Sequence, residues 1–174
     1  QQSNRQCAAA LGNVFFLNGE ILKSRELAEP QLSIAETEND DNLRMSAYPA
    51  IGVCTFFVGD FAMARTELRR SNALYDLDVH GANKFPEGTD PAVICLSVGA
   101  WALCFLGDEA GALEEIRAAL KHAEALQHPF SLAYAHGLAA SVHQCCRDPG
   151  AALNSAEAAI ALAEEHDYPY WLCW

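Results

Sequence analysis

A short turn signature returns along this chain at near-constant intervals. Leu17-Asn18-Gly19-Glu20 stands 40 residues before Phe57-Val58-Gly59-Asp60, Leu106-Gly107-Asp108 stands 48 residues after it, and Cys146-Arg147-Asp148 another 40 on. Each copy separates two stretches with apolar residues at helical spacing. In the second copy Ile51, Gly52 and Phe56 share a face before the turn, and Phe61, Ala64, Leu68 and Ala73 fall at that spacing after it. Gly59 suits the left-handed conformation that ends a helix, and Asp60 is placed to accept the free N–H groups that open the next one. Pairs of helices repeated at such a period predict an all-α fold, a right-handed α-α superhelix or solenoid. The reading is about four helix pairs and the start of a truncated ninth helix.

The units fall at about 3–38, 42–76, 90–126 and 129–166, with a further helix opening at 169–174. Pro30 and Pro49 lie inside otherwise helical patterns. The first predicts a kink or a shorter helix, and the second a late start near Ala47 or a bend. The stretch 76–90 carries Gly81, Gly88 and Pro86 and lengthens one interval from 40 to 48, so it reads as the one long loop. Asp90-Pro91, His128-Pro129 and Asp148-Pro149 each place a proline at the first position of a helix. Residues 1–174 read as a single repeat domain. Because Gln1 begins within a helix and Tyr170-Trp171-Leu172-Cys173-Trp174 ends on aromatics, the expectation is a fragment of a longer protein.

Composition narrows the function classes. Apolar residues make up 51%, too many for a disordered segment. No apolar run reaches the roughly 18–20 residues that span a bilayer. With 11 Lys and Arg against 23 Asp and Glu, the net charge of −12 repels phosphate backbones and anionic lipid, which argues against direct nucleic-acid or membrane binding. Seven cysteines, mostly within apolar helical patterns, read as reduced, buried thiols in a cytoplasmic setting.

Within the repeats, Gly52, Gly59-Asp60-Phe61 and Ala64 resemble the small helix-A residue, the glycine-aspartate-aromatic turn and the helix-B alanine of the tetratricopeptide repeat. Gly12, Gly19-Glu20 and Ser24 hold these places in the first unit; Ala100, Gly107-Asp108 and Ala112 in the third; Ala140, Asp148 and Ala152 in the fourth. Arg147 for the turn glycine, Ser24 for an alanine and the long period mark a divergent variety. A narrower similarity rests on runs such as GVCTFFVGDFAMAR, TDPAVICLS, WALCFLGD and HPFSLAYAHGLAASVHQCCRDPGAAL. These are similar to the C-terminal repeats of large bacterial signalling ATPases, many of which carry adenylate or guanylate cyclase domains or LuxR-type DNA-binding domains. That resemblance implies a protein-interaction or effector-binding module of a multidomain signal-transduction or transcription regulator.

No catalytic motif supports enzymatic work by this segment: phosphate-cradling glycine loops, G-x-S-x-G and H-E-x-x-H are absent. No cofactor is implied. His136, His143 and Cys146 share helical spacing, but no second ligand cluster accompanies them, so they read as structural and no metal is expected. Cys145-Cys146 lacks redox-motif spacing and reads as inert. By register with the repeat family, the concave surface is lined by Asn13, Phe16, Leu17, Val53, Phe56, Phe57, Trp101, Cys104, Phe105, Ser141, Gln144 and Cys145. Packing of the same residues against neighbouring helices stands as the other reading. The expected occupant is a protein, a peptide, a neighbouring domain of the same chain or a small effector, with Phe85 of the 76–90 loop as an added contact. The alternative is self-association through an exposed Trp171 and Trp174. A metal-binding or enzymatic domain is a remote third.

Overall fold

The computed structural model describes residues 2–80 and 88–173. All regular structure among them is helical, and within each of two compact units every long helix packs on the next in sequence. The chain divides at 74/75, where the irregular stretch begins, into two compact units. The first holds α1 (Gln2–Leu17), α2 (Ile21–Glu38), α3 (Asp41–Phe57) and α4 (Phe61–Leu74). The second holds α5 (Leu77–His80), α6 (Pro91–Phe105), α7 (Glu109–Leu126), α8 (Pro129–Cys145), α9 (Pro149–His166) and α10 (Pro169–Cys173). The short α5 lies inside the stretch expected to be wholly irregular. Residues 81–87, and with them Phe85, lie outside the described residues.

The turns form as their chemistry dictates. Gly19, Gly59 and Gly107 take positive φ of 79°, 93° and 82°, while Asp60 and Asp108 accept the amide hydrogens of Met63 and Gly111. At the fourth turn Arg147 takes the left-handed position itself, at φ 58°. The turn's bonding is unchanged there: the Arg147 and Asp148 amides donate to the carbonyls of Gln144 and His143, as those of Gly107 and Asp108 do to Cys104 and Leu103.

Small residues set the helix spacing within each unit. A Cβ on Gly52 would lie 2.8 Å from Leu68 Cγ, so α3 crosses α4 in contact, with Leu68 buried against the glycine. Ala64 and Ala112 are fully buried at corresponding helix-B positions, and Ala123 and Ala163 at a second corresponding pair further along their helices. The late start near Ala47 does not occur; α3 runs through Pro49 to Phe57. Proline removes the N–H that would bond the Met45 carbonyl. The buried Ser71 hydroxyl, reaching across from α4, donates to that carbonyl at 2.8 Å instead. Likewise α2 is not shortened at Pro30.

In the second unit α8 packs on both α6 and α7, α9 packs on α8, and α10 opens against α9 and α8. Its core is built from Leu103, Ile116, Leu138, Val142 and Trp171 with interleaved alanines.

Candidate functional site

The second unit contains an open groove of about 460 Å³. One wall is the α8 face of Gly137, Ala140, Ser141 and Gln144. The other is α9, with Ala152, Leu153, Ala156 and Ile160. Trp171 and Leu172 of α10 close one end, and Arg147 with Pro149 lies at the turn. The register explains the space. Leu68 and Ile116, 48 residues apart, are fully buried between their paired helices, and 40 residues beyond Ile116 the chain places Ala156. The missing side-chain volume leaves the α8–α9 crossing open where the α3–α4 and α6–α7 crossings are filled. Leu153 and Ile160 are consequently exposed.

The polar groups at the groove are few. Ser141 Oγ lies 3.5 Å from the Gly137 carbonyl. The exposed Arg147 guanidinium forms no ion pair among the described residues, although it sits in a chain of net charge −12.

Of the expected groove residues, the structure joins Ser141 and Gln144 here. Trp101, Cys104 and Phe105 belong to α6 and do not line this groove, because α8 stacks on α6 and the open crossing lies one helix pair further on. Trp101 and Phe105 pack together at 6.2 Å, with Phe105 exposed. In the first unit Asn13 is exposed and Val53 half-buried, while Phe16 meets the exposed Phe57 edge-on at 5.2 Å. Phe56 is not on an open surface. It is 4% exposed, edge-on to Phe57 and Phe61 at 5.3 Å each, because its side chain turns into the α3–α4 interface. Trp171 is likewise not exposed. It is 4% exposed and packs edge-on to Tyr134 at 5.2 Å, since the start of α10 sits down on α8 and α9; Tyr170 and Leu172 are the exposed pair there. The side chain of Trp174 lies outside the described residues.

Two clusters escaped the sequence reading. The first surrounds Asp90, the cap of α6, whose carboxylate accepts from the Ala92 and Val93 amides. The Tyr75 hydroxyl donates to Asp90 Oδ2 at 2.7 Å, and His122 Nε2 lies 3.2 Å from Oδ1. The Asp90 amide donates to Ser131 Oγ, which lies 2.8 Å from His128 Nδ1. Burial alone would raise the Asp90 pKa. The hydrogen bonds from His122, Tyr75 and the Val93 amide, with the His122 charge, outweigh it and hold the carboxyl below its ordinary value. Burial, then the bond and charge of Asp90, pushes the Tyr75 hydroxyl up, so it remains a donor. The partners stand 15, 32 and 41 residues from Asp90, so no local spacing announces them.

The second cluster is of thiols. The Cys104 sulfur of α6 lies 4.0 Å from the Val142 carbonyl of α8, and burial, then the neighbouring Cys146 and Cys145, pushes its thiol up to about 12. Among the described residues no group of three or more His, Cys, Asp or Glu is placed to hold a metal ion. His136 and His143 each bury an Nδ1 that bonds no protein group, and desolvation lowers the His136 pKa against the weaker pull of Glu124. No helix among the described residues is long and apolar enough to cross a membrane.

Searched against models of known protein families and against curated proteins, the chain matches none.

Proposed function

We propose that this chain is a partner-binding module of tetratricopeptide-like helix pairs, set in a right-handed superhelix within a multidomain bacterial signalling or transcription regulator. The observation that carries the binding role is the open α8–α9 crossing, an apolar groove of about 460 Å³ with a cation at its rim. Its occupant is an amphipathic helix, from a partner protein or from a neighbouring domain, that lays an apolar face between α8 and α9 as α8 does on α6 and α7. An acidic residue of that helix pairs with Arg147. The segment binds rather than catalyses: the carboxylate with perturbed ionisation, Asp90, is sealed from solvent by its own partners.

A labelled synthetic amphipathic helix with a Leu/Ala face and one flanking glutamate is the probe. Fluorescence anisotropy should show saturable binding to the wild type. Ala156→Leu, which restores the side chain found at position 68, should weaken it at least tenfold with the melting temperature unchanged or raised. Equal binding by the filled variant would remove the groove from the proposal.

A further inference from the structure

The α9 wall of the groove presents Leu153, Ala156 and Ile160 to the open crossing. Glu157 and Glu164 stand beside that apolar stripe. Glu157 follows Leu153 by four residues and precedes Ile160 by three, and Glu164 follows Ile160 by four, the spacings of surface neighbours on a helix. Seven residues make nearly two turns, so both carboxylates occupy one flank, about 10 Å apart along the axis. Both are exposed, and neither forms an ion pair among the described residues. Arg147 lies at the turn that leads into α9, and Trp171 and Leu172 close the other end. The groove thus has an apolar floor, a cation at one end and two anions along its α9 rim.

Two observations give an occupant helix its direction. A helix carries partial negative charge at its C-terminus and partial positive charge at its N-terminus. Arg147 therefore favours the C-terminal end and Glu164 the N-terminal end. The fold already holds one such seating: α8 lies on α6 with their last turns together, the Cys104 sulfur 4.0 Å from the Val142 carbonyl.

We propose that the groove takes an amphipathic helix with a basic flank, seated parallel to α8. Its last turn carries the acidic residue that meets Arg147, and two lysines or arginines seven residues apart face Glu157 and Glu164. This rests on the reading of the groove as a helix site and adds the charge pattern and the direction that tell one partner from another. The net charge of −12 attracts such a basic flank at long range and repels an acidic one.

The test uses the whole chain and three labelled synthetic helices with one common Leu/Ala face. The first has the two lysines and the C-terminal glutamate, the second has glutamine in those three places, and the third has the three charges inverted. In fluorescence anisotropy at low salt the first should bind about three- to tenfold tighter than the second, and the third weakest. That preference should vanish in molar salt and in the Glu157→Gln/Glu164→Gln double variant, whose changes are on the surface. A photo-cross-linker on the last residue of the first helix should label 144–149, and one on its first residue should label α10. Equal binding of the first two helices, or exchanged labelling, would overturn the proposal, while saturable binding of the glutamine helix would leave the groove reading standing. Binding of none of the three would remove both. A concentration-dependent mass of the chain alone, lost in Ala156→Leu, would give the groove to a second copy and overturn the basic-flank proposal.

Discussion

At the scale of single residues, two glycines in equivalent places have different tolerance. A Cβ at Gly52 would meet Leu68 Cγ at 2.8 Å and the Ala64 carbonyl at 3.3 Å, whereas one at Gly12 would meet nothing nearer than Ser24 at 3.9 Å. Gly52→Ala should therefore destabilise by about 1–3 kcal/mol through overpacking. Gly12→Ala should be neutral or stabilising by up to about 1 kcal/mol, the helix-propensity difference. Urea denaturation of both variants decides it, and equal effects would mean that the α3–α4 crossing is not closer than α1–α2. Ser71→Ala should cost about 1–3 kcal/mol, because it leaves the buried Met45 carbonyl with no donor. Gly52 was legible in the sequence, since its place in the repeat announces a close crossing. Ser71 was not: its partner lies 26 residues away, and nothing local distinguishes it from any buried serine.

At the scale of helices and turns, positions governed by local chemistry were readable, while those set by packing were not. The aspartate caps and glycine turns follow from backbone requirements at each site, and they fell as expected. Phe56 and Trp171 were misplaced because periodicity does not say which flank of a helix the next helix covers. Arg147 marks the turn where local preference is overridden. Left-handed backbone costs a non-glycine residue roughly 1–2 kcal/mol. Arg147→Gly should thus raise the melting temperature while weakening the acidic helical probe; a gain in stability with unchanged binding would leave the guanidinium without a role in the groove. His136 of α8 sets a pH dependence. His136 is held neutral by burial, so the unfolded chain binds more protons than the folded one as pH falls below the ordinary histidine value of about 6.5. Its contribution to stability is present above that value and is lost as pH falls towards its lowered folded value. His136→Phe should flatten stability between pH 7 and 5, as read by thermal melts across that range.

At the scale of the whole molecule, the division at 74/75 predicts which pieces of the chain fold alone. The core of the second unit draws on α6, α7, α8, α9 and α10 together, from Ala100 and Leu103 to Ala163 and Trp171. The Asp90 cluster adds polar ties across the same span, from Tyr75 through His122 to Ser131. All of these partners lie within residues 75–174. That fragment should therefore melt cooperatively with a helical circular-dichroism spectrum, and it should keep the Asp90 cluster. Asp90→Asn within it should cost about 2 kcal/mol at neutral pH, the worth of hydrogen bonds to a charged group. The sign follows from the lowered Asp90 pKa: the ionised carboxylate stabilises the fold above about pH 4, and that contribution is lost as pH falls through the folded value. The stability difference between fragment and variant should accordingly shrink in acid. A cut between α7 and α8 should behave differently, because it separates Ile116 and His122 from Leu138 and Ser131 and so opens both the core and the polar cluster. Residues 75–126 alone should show no cooperative melt. Equal folding by 75–126 and 75–174 would mean that each helix pair is self-sufficient and that the second unit is not one cooperative body.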